Sequence, residues 1–194
     1  MRRMSSHTVA TLPRLSSTDL SQILLSTASS NVDASTPPSK IAIVDVRDDD
    51  HIGGHIKHSI HAPSNTLDYK IPELVRKLKD KETVVFHCAL SQQRGPSAAL
   101  RYIRERDRLL HLGAHIESGS GVGQVLKKNR EDEVKEGNDK DAEGEWEDIE
   151  EGKEEKKEQK VYVLDRGFVG WQERFGEDPR LTEGYRKEIW QNGY

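Results

Sequence analysis

One stretch, residues 81–106, limits the possible folds of this chain more than any other. Its apolar, β-branched run Thr83-Val84-Val85-Phe86 has the composition of a buried strand, and His87 and Cys88 follow it directly. Gly95 then permits a turn and Pro96 suits the first position of a helix, after which apolar residues recur at helical spacing at Ala99, Tyr102 and Ile103. The stretch therefore predicts a strand, a loop and a helix.

A loop that closes onto the N-terminus of a helix is suited to bind an anion. Its backbone N–H groups point into one concavity, and the helix dipole adds positive potential there. Arg94 ends the loop and can hold two oxygens of a phosphate or arsenate with its planar fork. The same potential favours the thiolate form of Cys88, the single cysteine of the chain. We therefore predict that Cys88 is a nucleophile; the alternative is a small buried cysteine at the end of a core strand.

A second strand and an intervening helix predict a parallel α/β sheet. The apolar run from Ile41 to Val46 is long enough for a buried parallel strand. Between this run and the Thr83 strand, residues 71–80 carry an apolar helical stripe, which consists of Ile71, Leu74, Val75 and Leu78. The order strand, helix, strand implies a parallel crossover unit.

The first residues allow two interpretations. Residues 1–18 carry three arginines, many Ser and Thr and no acid, which is the composition of a weak mitochondrial transit peptide. The same stretch offers a helix start at Ser17-Thr18-Asp19 and, before it, a first strand at Val9, Leu12 and Leu15. We favour this use in the fold, and we expect residues 26–39 to form a polar loop.

Charge is distributed unevenly along the chain. Residues 131–160 contain 15 Asp or Glu and six Lys, so this segment carries a net charge of −9 and the remainder of the chain, whose total is −4, carries +5. Such a segment lacks the apolar residues that would offset ordering entropy. We therefore predict that residues 107–157 are a largely disordered or solvated acidic insertion, either a spacer or an interaction tail. A single solvated helix held by Glu–Lys pairs is the alternative.

Composition also bears on partners and compartment. The sequence contains no run of about 18 apolar residues that would span a membrane. A net charge of −4 favours neither a nucleic-acid nor a membrane-surface partner. One cysteine cannot form an internal disulfide, which favours a reducing compartment, so we expect a cytoplasmic or nuclear protein.

Four histidines, His51, His55, His58 and His61, are spaced so that several would share one face of a helix and could bind zinc. Gly53-Gly54 interrupts such a helix, and no carboxylate or cysteine completes a ligand set at the expected spacing. We therefore predict no metal site here.

The loop from Cys88 to Arg94, called the active loop below, resembles that of one family of enzymes. His87-Cys88, five residues and then Arg94 resemble the signature loop of cysteine-based phosphatases. The longer string HCALSQQRGPSAA resembles the rhodanese-fold branch that contains the eukaryotic arsenate reductases and the small phosphatases related to the M-phase inducers.

Two flanking segments extend the resemblance over most of the chain. The first segment is similar to the rhodanese signature that precedes the active loop, and it consists of Asp45-Val46-Arg47, Gly54-His55-Ile56 and residues 59–63. Residues 161–171 resemble the last strand and turn of that domain, with Asp165-Arg166 where the family usually has two adjacent glycines.

The resemblance implies a small fungal-type member of this family. Its fold would be a three-layer α/β rhodanese-like domain with a central parallel sheet, formed by residues 5–106 and 158–194. Cys88 and Arg94 would be the catalytic pair. The supporting residues would be His87, Asp45 and Arg47, and the phosphate-binding loop would comprise Ala89, Leu90, Ser91, Gln92, Gln93 and Gly95.

For activity, the resemblance implies a phosphatase of the protein-tyrosine or dual-specificity type, which acts on a phosphoprotein through a cysteinyl-phosphate. The alternative is an arsenate reductase that uses an external thiol such as glutathione, with glutaredoxin as a partner. Neither activity requires a bound cofactor.

Two further activities are less favoured. Thiosulfate-type sulfurtransferases of this fold have a shorter loop than the spacing from Cys88 to Arg94, and an inactive phosphate-binding module would not need both residues. The loop nevertheless departs from the phosphatase pattern. Ala89 to Gln93 include no acid to protonate a leaving group, and Gly95 replaces the Ser or Thr of many tyrosine phosphatases.

Overall fold

The computed structural model describes residues 7–30, 37–117 and 158–191. All contacts discussed below lie in one compact unit, Met1–Arg106 with Glu158–Tyr194. Most of the charged insertion expected at residues 107–157 lies outside the described residues, so the boundaries of domain and insertion remain predictions. Within the described ranges, no helix is both long and apolar enough to cross a membrane.

Five parallel strands form the central sheet, in the order β1-β6-β5-β2-β4. They are β1 (Arg14–Leu15), β2 (Ile41–Asp45), β4 (Ile60–His61), β5 (Thr83–His87) and β6 (Lys160–Leu164). The central strand, β5, is the predicted apolar run, and both its faces are covered, as in parallel sheets generally. Asp45 of β2 pairs in register with His87 of β5, so both strands end at the same edge of the sheet. Open α/β sheets bind ligands at this carboxyl edge.

Helices flank the sheet, and several extend beyond their apolar stripes. They are α1 (Ser17–Ser30), α2 (Leu67–Lys77), α3 (Arg94–Glu117), α4 (Gly167–Phe175) and α5 (Lys187–Trp190). The second helix begins one turn before the predicted Ile71, because Leu67 is also buried, and it accommodates Pro72 in its interior. The first helix continues into the segment expected to be a polar loop.

The side chains of the sheet alternate between two helix layers. On one face, Ile43 and Val85 belong to the same core cluster as Leu20 of α1 and Trp171 of α4. On the other face, Phe86 packs against Tyr102 of α3, with ring centroids 5.3 Å apart. An ion pair between Arg101 and Asp68 joins α3 to α2 on this side. The expected three-layer α/β fold with a central parallel sheet is therefore confirmed.

A small antiparallel ribbon fastens the segment after β2 to the end of the described chain. Strand β3 (His55–Ile56) pairs with β7 (Thr182–Glu183). Next to the ribbon, Trp171 is fully buried, lies 5.0 Å from the Phe175 ring and donates from Nε1 to Thr182 Oγ1 at 3.0 Å. Trp171 therefore joins α4 to the ribbon.

Candidate active site

Residues 88–93 connect the carboxyl end of β5 to α3 and form the predicted anion-binding loop. Cys88 is buried, and the backbone N–H of Ser91 donates to its Sγ at 3.2 Å. The sulfur therefore has a backbone donor, and the backbone of Cys88 lies beside the first turn of α3. Ala89 is buried as well, whereas Leu90, Gln92 and Gln93 are exposed.

Arg14 of β1 holds the loop from the outside. Its Nη2 donates to the carbonyl oxygen of Ser91 at 3.2 Å, and its Nη1 contacts Asp165 at 3.4 Å. Ser91 has a φ of 54°, a left-handed conformation that is uncommon for residues other than glycine. The hydrogen bond from the Ser91 N–H to Cys88 and the one from Arg14 to the Ser91 carbonyl oxygen thus stabilise a strained turn.

The N-terminus of α4 supports the loop from behind. Phe168 N donates to the Cys88 carbonyl oxygen and Val169 N to the Ala89 carbonyl oxygen, both at 2.9 Å. Gly167, with a φ of 56°, makes this approach possible, because a Cβ there would lie closer than 3.0 Å to both carbonyl oxygens. The turn thus lines the active loop even though Asp165-Arg166 replaces the usual glycines. Arg166 adopts the left-handed conformation itself, with a φ of 57°.

The guanidinium of Arg94 binds two carboxylates of the segment that follows β2. Its Nη1 and Nη2 contact the two oxygens of Asp50 at 2.7 and 2.5 Å, and Nη1 also contacts Asp48 at 3.0 Å. The hydrogen bonds to Asp50, above all, raise the pKa of Arg94 above its usual value, so the group stays charged. The fork expected to hold an oxyanion is therefore engaged by aspartates in this structure.

Neither aspartate stands out in the sequence, where Asp48-Asp49-Asp50 resembles solvated surface charge. The usable signal is position, because the run directly follows β2, which ends at the same sheet edge as Cys88. Burial opposes ionisation of Asp48, but hydrogen bonds from Ser64 Oγ (2.6 Å), Asn65 N (3.1 Å) and Arg94 leave its pKa lowered. Asp48 is therefore ionised and is a poor candidate for a general acid.

Asp45 and Arg47 form a buried ion pair beneath the loop. Arg47 Nη2 lies 2.7 Å from Asp45 Oδ2 and also donates to the Gly54 carbonyl oxygen at 2.8 Å. The guanidinium carbon lies 4.1 Å from the centre of the Phe168 ring. Burial would raise the pKa of Asp45, but the charge interaction with His87 and the hydrogen bonds of Arg47 hold it below its usual value. The pair links β2, the following loop and α4, which is a supporting arrangement.

His87 is fully buried, and its ring lies 6.4 Å from that of Phe168, measured between centroids. Its Nδ1 lies 3.3 Å from the Cys88 carbonyl oxygen and 3.8 Å from Asp45 Oδ1. Burial is the largest cause that lowers its pKa, and the attraction of the Asp45 carboxylate opposes this shift without cancelling it. These contacts suit a residue that positions the end of β5.

Three of the histidines after β2 stack on one another, but they lie on a loop and on the short strands β3 and β4, not on one helical face. The His51 ring lies 3.9 Å from the His61 ring and 5.7 Å from the His55 ring, measured between centroids. His61 Nε2 contacts the Arg47 carbonyl oxygen at 2.8 Å, and His55 Nε2 contacts Glu183 at 3.2 Å. Burial lowers the pKa of His51 to about 4. Among the residues with described positions, no three His, Cys, Asp or Glu side chains are arranged to hold a metal ion.

Comparison with known proteins gives matches to one family. The model of the rhodanese-like domain matches residues 28–120. The chain is 53% identical over 68 residues to the dual specificity phosphatase Cdc25 of Arabidopsis thaliana, which covers 34% of this chain and 47% of that protein. It is 51% identical over 65 residues to arsenate reductase 2.2 of Oryza sativa, which covers 33% of this chain and 50% of the relative. The matched region thus spans about half the length of these two relatives.

Longer matches come from yeast. The CDC25-like phosphatase YCH1 of Saccharomyces cerevisiae is 30% identical over 159 residues, 76% of each chain. The solved structure of a yeast protein tyrosine phosphatase of the rhodanese family is 25% identical, covers 96% of this chain and 100% of its own, and has a TM-score of 0.58. The chain therefore belongs to the rhodanese-like family, in the group that contains the Cdc25-like phosphatases and arsenate reductases.

Proposed function

We propose that the chain is a cysteine-dependent phosphatase of the protein-tyrosine or dual-specificity type. The observation that carries the proposal is Cys88, whose buried sulfur accepts the Ser91 N–H at 3.2 Å beside the N-terminus of the 24-residue helix α3. A thiolate in that position can attack phosphorus, so that an S–P bond forms as the bond to the leaving oxygen breaks. Water then attacks the cysteinyl-phosphate, phosphate leaves and the electron pair of the S–P bond returns to Cys88.

Arg94 would hold the equatorial oxygens of the transferred phosphoryl group. A guanidinium matches two oxygens of a phosphate as well as it matches the carboxylate of Asp50. Since Asp50 and Asp48 already occupy its fork, an incoming oxyanion must take over at least part of these contacts. Oxyanion binding and the Arg94–Asp50 pair are therefore expected to compete.

An arsenate reductase is the second candidate. One observation favours it: the segment Ala89 to Gln93 provides no acid for a leaving group. Because the chain has a single cysteine, an external thiol would have to complete the reduction. Cys88 would displace an oxygen of arsenate, and glutathione would then attack the Cys88 sulfur. This step releases arsenite, with arsenic reduced by two electrons, and leaves a Cys88–glutathione disulfide. A second glutathione or glutaredoxin would reduce that disulfide.

Three assays of the purified chain separate the candidates. The first measures hydrolysis of an aryl phosphate, the second arsenite formation from arsenate with glutathione and glutaredoxin, and the third sulfur transfer from thiosulfate to cyanide. We expect activity in the first. Arsenate reduction without phosphate hydrolysis would replace the phosphatase proposal, activity in the third assay alone would indicate a sulfurtransferase, and inactivity in all three would indicate a binding module.

Substitution of the two catalytic residues tests the mechanism. Cys88→Ser should abolish turnover and retain phosphate binding, because serine preserves the loop but is not ionised near neutral pH. Arg94→Lys should lose on the order of 2–4 kcal/mol of transition-state stabilisation, because lysine lacks the two-point fork. Their effects should be strongly non-additive, since both act on the same step.

A matched control is available in the same helix. Arg101→Lys makes the same change at a residue that pairs with Asp68 and not with the loop. Its kinetics should remain close to those of the unsubstituted chain. Aryl phosphate hydrolysis that survived Cys88→Ser would exclude the cysteinyl-phosphate mechanism.

A further inference from the structure

The hydroxyl of Ser91 is an unexplained polar group inside the active loop. Ser91 is fully buried, and its Oγ has no hydrogen-bond partner among the residues that the structure describes. Buried hydroxyls are normally hydrogen-bonded, because an unpaired one loses its water without compensation. An unpaired hydroxyl in a reactive loop is therefore available to a group that binds or reacts there.

The position of the hydroxyl points to the reacting sulfur. A Cβ added to Gly95 would lie 3.3 Å from Ser91 Oγ and 3.4 Å from Cys88 N, so the hydroxyl lies on the inner side of the loop, beside the first turn of α3. Because Gly95 has no side chain, this space is left to Ser91. The backbone N–H of the same residue already donates to Cys88 Sγ at 3.2 Å.

The backbone of Ser91 is held in the conformation that creates this arrangement. Its φ of 54° is unfavourable for a residue with a Cβ, and the Arg14 side chain holds its carbonyl oxygen from the outside. Strained backbone that the surrounding structure stabilises is concentrated at functional sites. Within the loop from Cys88 to Gly95, Ser91 is the only residue with a hydroxyl group.

We propose that Ser91 is a catalytic residue whose hydroxyl donates a hydrogen bond to the Cys88 sulfur. Rotation about its one side-chain torsion would redirect the hydroxyl towards a sulfur that carries negative charge. This happens twice in the proposed reaction: in the thiolate before attack, and when water forms a P–O bond, the S–P bond breaks and its electron pair returns to the sulfur. The proposal rests on Cys88 as the nucleophile of the proposed function.

Ser91→Ala tests the proposal, because alanine keeps the Cβ and so the same backbone strain while it removes only the hydroxyl. The first measurement is the ultraviolet absorbance of the thiolate as a function of pH, with Cys88→Ser as the blank, since the chain has one cysteine. We expect the midpoint of thiolate formation to move to higher pH, with about a tenfold smaller thiolate fraction below the midpoint. The charged groups around the loop, Arg94 with its aspartates and Arg14 at the Ser91 carbonyl, are the same in both proteins.

The second measurement is a pre-steady-state time course with an aryl phosphate. Loss of a donor to the departing sulfur should slow breakdown of the cysteinyl-phosphate more than its formation, so the variant should show a larger burst and about tenfold slower steady turnover. Ser97→Ala, the same change at an exposed position in the first turns of α3, should alter neither measurement.

Ser91→Gly keeps the test decisive if the alanine variant folds poorly. Glycine also lacks the hydroxyl but accepts the left-handed backbone without strain, so it should show the same shift in the thiolate titration. An unchanged titration midpoint in either folded variant would overturn the proposal. If the unsubstituted chain hydrolyses no phosphate ester, the proposed function fails, whereas the titration still decides whether Ser91 contacts the sulfur.

Discussion

The Arg94–Asp50 ion pair should limit how tightly the loop binds an oxyanion. In this structure the backbone N–H of Asp48 donates to Asp50 Oδ1 at 2.9 Å. Asp50→Asn removes the negative charge but keeps a side-chain oxygen that can accept this hydrogen bond. The loop should therefore keep its shape. Of the two ion pairs described for Arg94, the one with Asp48, at 3.0 Å, would then remain.

The size of the effect follows from the geometry. The pair has two contacts, at 2.7 and 2.5 Å, between side chains that are 31% and 23% exposed. A partly exposed bidentate pair of this kind contributes roughly 1–2 kcal/mol. If an oxyanion must displace it, its removal should tighten binding by about five- to thirtyfold, because a factor of ten corresponds to about 1.4 kcal/mol.

Calorimetric titration with inorganic phosphate, on the Cys88→Ser background to prevent turnover, measures this difference directly. Asp49→Asn is the matched control, since Asp49 is exposed, adjacent and in no ion pair within the described part of the chain. It should change the dissociation constant by less than about threefold, through long-range charge alone. Weaker phosphate binding in Asp50→Asn would refute competition and show instead that the aspartate orients Arg94 towards the ligand.

Two further predictions concern stability. Gly167→Ala should destabilise the fold by several kcal/mol, because its Cβ would overlap the Cys88 and Ala89 carbonyl oxygens. The control Gly184→Ala should lose only about 1–2 kcal/mol, since Gly184 has a φ of 63° but open space around it. Equal losses for the two variants in urea unfolding would contradict the predicted overlap at Gly167. Burial lowers the pKa of His51 from 6.5 to about 4. Between these two pH values the unfolded chain binds a proton at His51 that the folded chain does not. The free energy of unfolding should therefore fall by up to about 3 kcal/mol as the pH decreases from about 6.5 to 4. His51→Gln should lose less stability over the same range in unfolding experiments, and an identical pH dependence would show that His51 is not responsible.

Local sequence was sufficient to predict the core of the site. The apolar run before His87 and the Gly-Pro pair after Arg94 specify a strand and a helix through periodicity and backbone preference, which act over a few residues. They also determine that Cys88 follows the strand and that Arg94 lies where the loop meets the helix, although the helix begins at Arg94, two residues before the predicted Pro96. The order strand, helix, strand predicted the parallel sheet, and the family resemblance singled out Asp45 and Arg47 as supporting residues.

The contacts that tune the site could not be predicted in this way, because they join residues far apart in the chain. Asp50 meets Arg94 across 44 positions and Arg14 meets Ser91 across 77, and both contacts depend on which strands are neighbours in the sheet. The sequence by itself determined that a cysteine and an arginine lie at the ends of one loop, since helix and strand propensities are local. Only the tertiary structure decided which carboxylates bind Arg94, which arginine binds the Ser91 carbonyl oxygen and why position 167 must be glycine. These contacts depend on strand order, which brings together charges and backbone groups that no local sequence pattern relates.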